Sequence, residues 1–324
     1  MGKGLSEFQL MADAAAYHTS KHLSDAELGS PQGNCLFCGS EDRVLAARLQ
    51  TEPTVDLLEC RSCGLCSASR VPTAEALQHY YGGYYERSSS VGLEDSQVTF
   101  GNINRFAGHL LKIIDGELAE GPLSILDFGG GDGTISLQLA EKLVASGHPS
   151  ISITVIEYHD QIVQSTNPQI TLRHFSTMDA LADETGSYDI VLASAIIEHL
   201  ADAKAESERL LSFLRPSGIL YVRTPYMVPL LRLMKRFGLT LDFTFPGHIH
   251  DMGQVFWEGY FAGLEPKGAY RILRSQPSIV ETSFRTHFLR TCASYLLKLP
   301  WKLLGRRYTL VGGWEIFVQK AKSS

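Results

Sequence analysis

The stretch Leu123-Ser-Ile-Leu-Asp127-Phe-Gly129-Gly130-Gly131-Asp132-Gly133-Thr134 decides how this chain reads. Ile125, Leu126 and Phe128 make a short apolar run of the kind a buried parallel strand requires. The glycines form a turn, and 134–144 reads as a helix with Ile135, Leu137, Leu139 and Leu143 available for packing. Residues without side chains at the mouth of a helix let a ligand lie close to the main chain there. A glycine bend alone is common, so its weight depends on what surrounds it.

Downstream, an apolar strand at 151–156 ends in Glu157, where a carboxylate is placed to accept hydrogen bonds from a ribose diol. Further strands are predicted at 169–175, 188–193 and 218–223, and later at 279–284 and 314–319. Helical spacing appears over 102–118, through Ile103, Phe106, Leu110, Leu111, Ile114 and Leu118, and again over 202–214. This alternation predicts an α/β fold: a Rossmann-like, mostly parallel seven-stranded sheet with helices on both faces and ligands at the carboxyl ends of the strands. A nicotinamide-linked dehydrogenase is the competing use of such a turn. It prefers G-x-G-x-x-G with an acid about 20 residues on, whereas this loop spaces Gly129, Gly131 and Gly133 and reaches Glu157 later.

Five of the six cysteines fall within 35–66. Cys35-Leu-Phe-Cys38-Gly39 and Cys60-Arg-Ser-Cys63-Gly64 are two C-x-x-C-G turns, each able to aim two thiolates at one ion. Together they predict a structural zinc on a small zinc-ribbon-like module. Cys66 lies outside the spacing and reads as a small buried thiol. His79-Tyr80-Tyr81-Gly-Gly-Tyr84-Tyr85 is either a mobile aromatic lid or an inter-domain packing knot.

Composition sets outer limits. The chain has 324 residues, 44% hydrophobic and 20% charged, enough for about two domains with a sizeable core. A net charge of −6 argues against nucleic acid as a partner. The amino-terminal residues lack a signal-peptide layout and no run is long enough to span a bilayer, so a cytoplasmic location is expected.

ILDFGGGDGT, Glu157, YDIVLASAIIEHL and LRPSGILYVRTP, in that order, resemble the successive motifs of class I S-adenosylmethionine-dependent methyltransferases. The two C-x-x-C units upstream are similar to the zinc-containing module of bacterial members associated with sugar, polysaccharide or secondary-metabolite modification. The resemblance implies that Asp127 and the loop Gly129, Gly130, Gly131 and Gly133 contact the cofactor's methionine end, and that Glu157 takes the ribose hydroxyls. It also places 176–181, with Asp179, beside the adenine, and Ala193 and Ser194 beside the methionine amino group. The family often carries an aspartate directly after the third strand, whereas this chain has Phe175-Ser176-Thr177. The implied organisation is an N-terminal extension over 1–30, a zinc-binding module over 31–72, a tyrosine-rich lid or linker over 73–100 and a methyltransferase domain over 101–324. Substrate-side insertions fall at about 226–260 and 287–310.

Methyl transfer to a hydroxyl needs a base. Glu198-His199 follows the fourth strand, and Phe245-Pro-Gly-His248-Ile-His250-Asp251 follows the fifth. His199 or His248 is the expected base, with Glu198 or Asp251 orienting an imidazole; His248, His250 and Asp251 are alternatively a catalytic metal set. Two stretches, 226–237 and 288–307, are apolar, aromatic and basic, which suits an anionic membrane surface and a lipid-linked acceptor, or simply helices capping the substrate side. The favoured activity is methylation of a small-molecule or saccharide acceptor, above all O-methylation of a sugar in a polysaccharide or glycolipid. An RNA or protein methyltransferase and a non-catalytic cofactor-binding protein are the alternatives.

Overall fold

The computed structural model describes residues 20–82, 102–158, 160–239, 242–280, 282, 284–285 and 287–322. Most of the expected N-terminal extension, together with Tyr84, Tyr85 and the rest of the predicted linker to 100, lies outside the described residues.

Eleven strands form two sheets among the described residues. In chain order they are β1 (Arg43–Gln50), β2 (Val55–Cys60), β3 (Cys66–Ala68), β4 (Leu123–Phe128), β5 (Ile151–Ile156), β6 (Ile170–Phe175), β7 (Tyr188–Ser194), β8 (Leu214–Tyr226), β9 (His250–Asp251), β10 (Tyr270–Pro277) and β11 (Gly312–Lys320). The helices are α1 (Ala74–Gly82), α2 (Ile103–Ile114), α3 (Thr134–Ala145), α4 (Ala203–Phe213), α5 (Val228–Arg236), α6 (Gln254–Gly263), α7 (Phe288–Lys298) and α8 (Trp301–Leu304). The larger sheet runs β10-β11-β8-β7-β4-β5-β6. Its β6, β5, β4, β7 and β8 are mutually parallel, and β11 is antiparallel to both neighbours.

The central strands read as unbroken apolar runs because both of their faces are covered. Ile125, Ile190 and Leu192 pack on one side with α2 and α3, through Phe106, Leu110, Leu139 and Leu143. Their neighbours Leu126, Val191 and Ala193 point the other way, into a cluster with Leu210, Leu211 and Phe213 of α4 and Trp257 of α6. The side-chain period of two thus divides each strand between two cores.

One strand differs from expectation. Among the described residues none of the predicted strand at 279–284 lies in a strand, and β10 occupies Tyr270–Pro277 instead. β10 is an edge strand whose outward positions hold Arg271 and Arg274. Edge strands carry charge on their solvent side, so the apolar signal was weak where the strand lies.

The smaller sheet, β1-β2-β3-β9, is antiparallel and closed by a strand from far along the chain. Cys66 pairs with Asp251 and Ser67 with His250. Its apolar face, with Val55, Leu57 and Ala68, shares a cluster with Val228, Phe243, Phe245 and Ile249 from the segment after β8. The cysteine module therefore folds against the larger domain, with Phe37 edge-on to Phe256 at 4.8 Å and to Tyr260 at 5.7 Å.

Candidate active site

β4 delivers Asp127 to the floor of a bend formed by Gly129, Gly130 and Gly131. Gly129 and Gly131 have φ of 66° and 57°, a left-handed backbone that other residues adopt at a cost. A Cβ on Gly129 would lie 2.6 Å from Ile196 Cγ1, and one on Gly130 would lie 2.5 Å from the carboxyl carbon of Asp127. The bend is thus closed to side chains from above and below. Asp132, which also lines the cavity, leads into α3, where its carboxylate accepts from the Thr134 amide at 2.9 Å and the Thr134 hydroxyl at 2.7 Å. Gly133 serves packing, its α-carbon facing Val155 of β5.

Asp127 is 3% exposed, and its Oδ2 has no hydrogen-bond partner among the described residues. Burial pushes its carboxyl up to about 6; a Ser136 hydrogen bond opposes this, and the nearby Glu157 and Asp132 charges reinforce it. A buried acceptor left open at a ligand cavity is a place for a donor from that ligand. At the tip of β5, Glu157 accepts from the Gly131 amide at 3.0 Å and from the Tyr158 amide at 2.7 Å. Two neighbouring parallel strands therefore end in acids that flank one glycine bend.

Asp127, Gly129, Gly130, Gly131, Glu157 and Ser194 line a cavity of about 960 Å³. Ala193 is fully buried below Ser194. Asp179 is placed elsewhere: it sits in a short 3-10 turn, largely exposed, and pairs with Arg209 at 2.8 Å.

The same cavity is also lined by Tyr81, Glu198, His199, Arg223 and His248. β7 leads into a 3-10 turn, Ile197–His199, that carries the acid and the first imidazole. His199 Nδ1 lies 2.6 Å from the Gly247 carbonyl, an acceptor only, so this nitrogen bears the proton and donates. His248 Nδ1 is 2.6 Å from Thr244 Oγ1, whose own proton goes to the Phe243 carbonyl at 2.6 Å. The His248 Nδ1 therefore donates as well. His199 is thus held through Nδ1, and His248 presents Nε2 as its basic nitrogen.

The two rings lie 4.9 Å apart between centroids, inclined by 32°. His199 Nε2 is 3.8 Å from Glu198 Oε1, and one ligand-capable atom from each of Glu198, His199 and His248 falls within 4.8 Å of the others. Burial pushes His199 down to about 3, with His248 adding to the effect, so it stays neutral at ordinary pH. On β8, Arg223 is buried and its Nε donates to Ser194 Oγ at 3.2 Å.

Two expected residues lie apart from this cluster. Asp251 accepts from the Met227 and Val228 amides, at 2.5 and 3.1 Å, and caps the start of α5. His250, fully buried, donates from Nε2 to the Leu200 carbonyl at 2.9 Å. These bonds hold both buried side chains away from His248, so His248, His250 and Asp251 do not converge as a metal set, and Asp251 does not orient an imidazole. Conversely, Tyr81 of α1 enters the cluster through the 2.9 Å contact between its hydroxyl and His199 Nδ1, which no sequence spacing announces.

The four paired cysteines converge. Cys35 Sγ lies 3.6 Å from Cys63 Sγ, and Cys38 Sγ lies 3.5 Å from Cys60 Sγ, all four sulfurs being within 4.8 Å of one another. A tetrahedral thiolate site with bonds of about 2.3 Å separates its sulfurs by roughly 3.8 Å. Gly39 and Gly64 follow the two turns at φ of 74° and 79°, as tight turns require. Cys66 is buried away from this set.

Comparison with known proteins bears on the cavity. The family described as "Methyltransferase domain" matches residues 100–261, half of the chain. A ubiquinone biosynthesis O-methyltransferase of Chelativorans sp. (strain BNC1) is 30% identical over 119 residues, 37% of this chain and 45% of that protein. The tRNA 5-carboxymethoxyuridine methyltransferase of Escherichia coli (strain K12) is 31% identical over 120 residues, 34% of this chain and 44% of that protein. The chain thus spans about half the length of the curated relatives it matches. Among solved structures, the plantazolicin methyltransferase BpumL, in complex with a triazolic desmethylPZN analog and SAH, aligns with a TM-score of 0.50 at 15% identity, covering 76% of this chain and 95% of that one. A likeness at that identity speaks to the fold.

Proposed function

The chain belongs to the methyltransferase-domain family, and from that premise we propose that it binds S-adenosylmethionine and methylates a small-molecule or saccharide acceptor, with O-methylation of a sugar as the specific reaction. One observation carries this reading: a single cavity joins a side-chain-free bend, flanked by the open Asp127 carboxylate and Glu157, to a histidine pair with its acid.

The residues present fit that cofactor. Asp127 Oδ2 offers an acceptor for an amino group, the glycine bend admits the methionine end, and Glu157 sits where a ribose diol would be held. S-adenosylmethionine supplies a methyl group already activated on a sulfonium. The chain's own work is alignment of the acceptor and removal of its hydroxyl proton. His248 is the better base of the pair. It is half-buried and lines the cavity, while desolvation holds His199 too low to take a proton readily. In this scheme the acceptor O–H proton goes to His248 Nε2, and the oxygen lone pair so exposed would take the methyl carbon as its bond to the sulfonium sulfur breaks, the electron pair leaving on a neutral thioether. The Thr244 hydroxyl holds the ring by its Nδ1–H, and the Glu198 carboxylate offsets the charge the imidazole gains. A neutral His199 adds no repulsion.

Zinc fits the four cysteines as a structural staple: four thiolates leave no position open to substrate, and the sulfur spacing suits tetrahedral coordination. The tRNA methyltransferase among the relatives raises a macromolecular acceptor as a second reading, but a net charge of −6 gives it no support.

Calorimetry with S-adenosylmethionine and its demethylated product, together with methyl transfer from labelled cofactor to a cell extract, tests the assignment. Binding that vanishes in Gly131→Leu, and transfer that falls about 10²–10⁴-fold in His248→Ala with cofactor binding retained, is the expected result. Absence of any affinity for either nucleoside overturns it.

A further inference from the structure

α7 runs directly into α8: Leu299 and Pro300 between them have helical backbone, at φ/ψ of −58°/−43° and −62°/−24°, and Pro300, which has no N–H, ends the hydrogen-bond ladder of α7 before α8 begins. One face of α7 lines the cavity, through Arg290, Ser294, Leu297 and Lys298. Residues seven apart fall on one stripe of a helix, and the stripe of α7 roughly opposite its cavity face holds Leu289 and Leu296, with Leu303 following on α8. These are 81%, 68% and 88% exposed, and Leu299 beside them is 53% exposed. Four leucines set in water along two successive helices, the first of which packs its other face on the cavity, form an apolar surface rather than scattered exposure.

Charge distinguishes this surface from the rest of the protein. From 282 to 314 the sequence contains Arg285, Arg290, Lys298, Lys302, Arg306 and Arg307 and no aspartate or glutamate, in a chain of net charge −6. Arg285, Lys302 and Arg307 are exposed. Arg306 pairs with Glu258 of α6, and Lys298 is held by Ser278, which ties this segment to the domain. No helix among the described residues is long and apolar enough to cross a membrane; exposed leucines flanked by cations are instead the pattern of a helix that lies on an anionic bilayer surface.

We propose that the outer face of α7–α8 docks onto an anionic lipid bilayer, with the leucines entering the headgroup–acyl boundary and the flanking cations meeting lipid phosphates. This goes beyond the proposed methyl transfer and does not depend on it. One consequence alone rests on that reading: since α7 lines the cavity with its other face, an acceptor anchored in the bilayer would meet the site where it leaves the surface.

The test is co-sedimentation of the full chain with vesicles of phosphatidylcholine plus phosphatidylglycerol, against vesicles of phosphatidylcholine alone. Pelleting with the anionic vesicles at low salt is expected, weakening at least about tenfold at high salt. A similar loss is expected in Leu289→Ser/Leu296→Ser/Leu303→Ser and in Lys302→Glu/Arg307→Glu. All five positions are exposed, so an unchanged unfolding midpoint establishes that these variants fold. No pelleting at low salt, or pelleting that both variants preserve, overturns the proposal. So does a dimer in solution that the leucine variant dissociates while vesicles fail to bind, which would assign the face to a second copy of the chain.

Discussion

The Tyr81 hydroxyl stands 2.9 Å from His199 Nδ1 and 3.1 Å from the Gly247 carbonyl that the same imidazole engages. Residues from α1, from the turn after β7 and from the loop before β9 thus meet at one point. The hydroxyl and Nδ1–H both donate to the one carbonyl, and that shared acceptor sets which nitrogen of His199 faces the cavity.

Tyr81→Phe removes one donor from this junction and leaves the ring in place. A hydrogen bond of this kind is worth about 0.5–1.5 kcal/mol, so kcat should fall roughly 3–10-fold while S-adenosylmethionine affinity is unchanged. Steady-state kinetics alongside calorimetry checks this. A variant with unaltered kcat would leave Tyr81 as a packing residue only.

Glu157→Ala removes the acceptor for the Gly131 and Tyr158 amides as well as the expected partner of the ribose. Charge-assisted bonds contribute about 1.5–3 kcal/mol, which predicts cofactor binding weaker by roughly 10–150-fold. Gly129→Ala should weaken binding and also lower the unfolding midpoint, because its Cβ meets Ile196 at 2.6 Å and its φ is 66°. Calorimetry and thermal unfolding separate the two variants.

Elemental analysis of the purified chain should find about one zinc per molecule, and Cys60→Ser should lose it. The module shares its core with the larger domain through Cys35, Phe37, Cys60 and Leu65, so the loss should lower the unfolding midpoint of the whole protein in one transition. A metal-free chain of unchanged midpoint would contradict the staple.

His250 supplies a pH test away from the cavity. Burial pushes it down to about 4, while an unfolded histidine titrates near 6.5. Between these values the unfolded state binds the extra proton, so the histidine's contribution to stability falls as pH drops through the window. Asp127 and Asp251, raised by burial to about 6 and 7, act oppositely, since there the folded state holds protons the unfolded state has lost. His250→Gln isolates one side. Its stability relative to the parent should improve on going from pH 7 to 5, by at most about 1.4 kcal/mol per pH unit. Denaturant titrations at several pH values measure the difference, and a pH-independent one would refute the buried neutral histidine.

The glycine bend, the strands β4 to β8 and the paired cysteines were legible because each is set by neighbours in the chain. A fully buried strand is an apolar run, a tight turn needs glycine at positive φ, and two thiolates meet an ion from one turn. By its own order of residues, then, the sequence determined the α/β class, the acids at the tips of β4 and β5, and the four sulfurs that converge. The tertiary structure decided the rest. It turned His250 and Asp251 inward while leaving His248 at the cavity, carried Tyr81 to His199 across 118 positions, closed the small sheet with β9, and set α7 and α8 with leucines outward. Such choices depend on which side of a strand or helix meets another element, and only the packed chain fixes that.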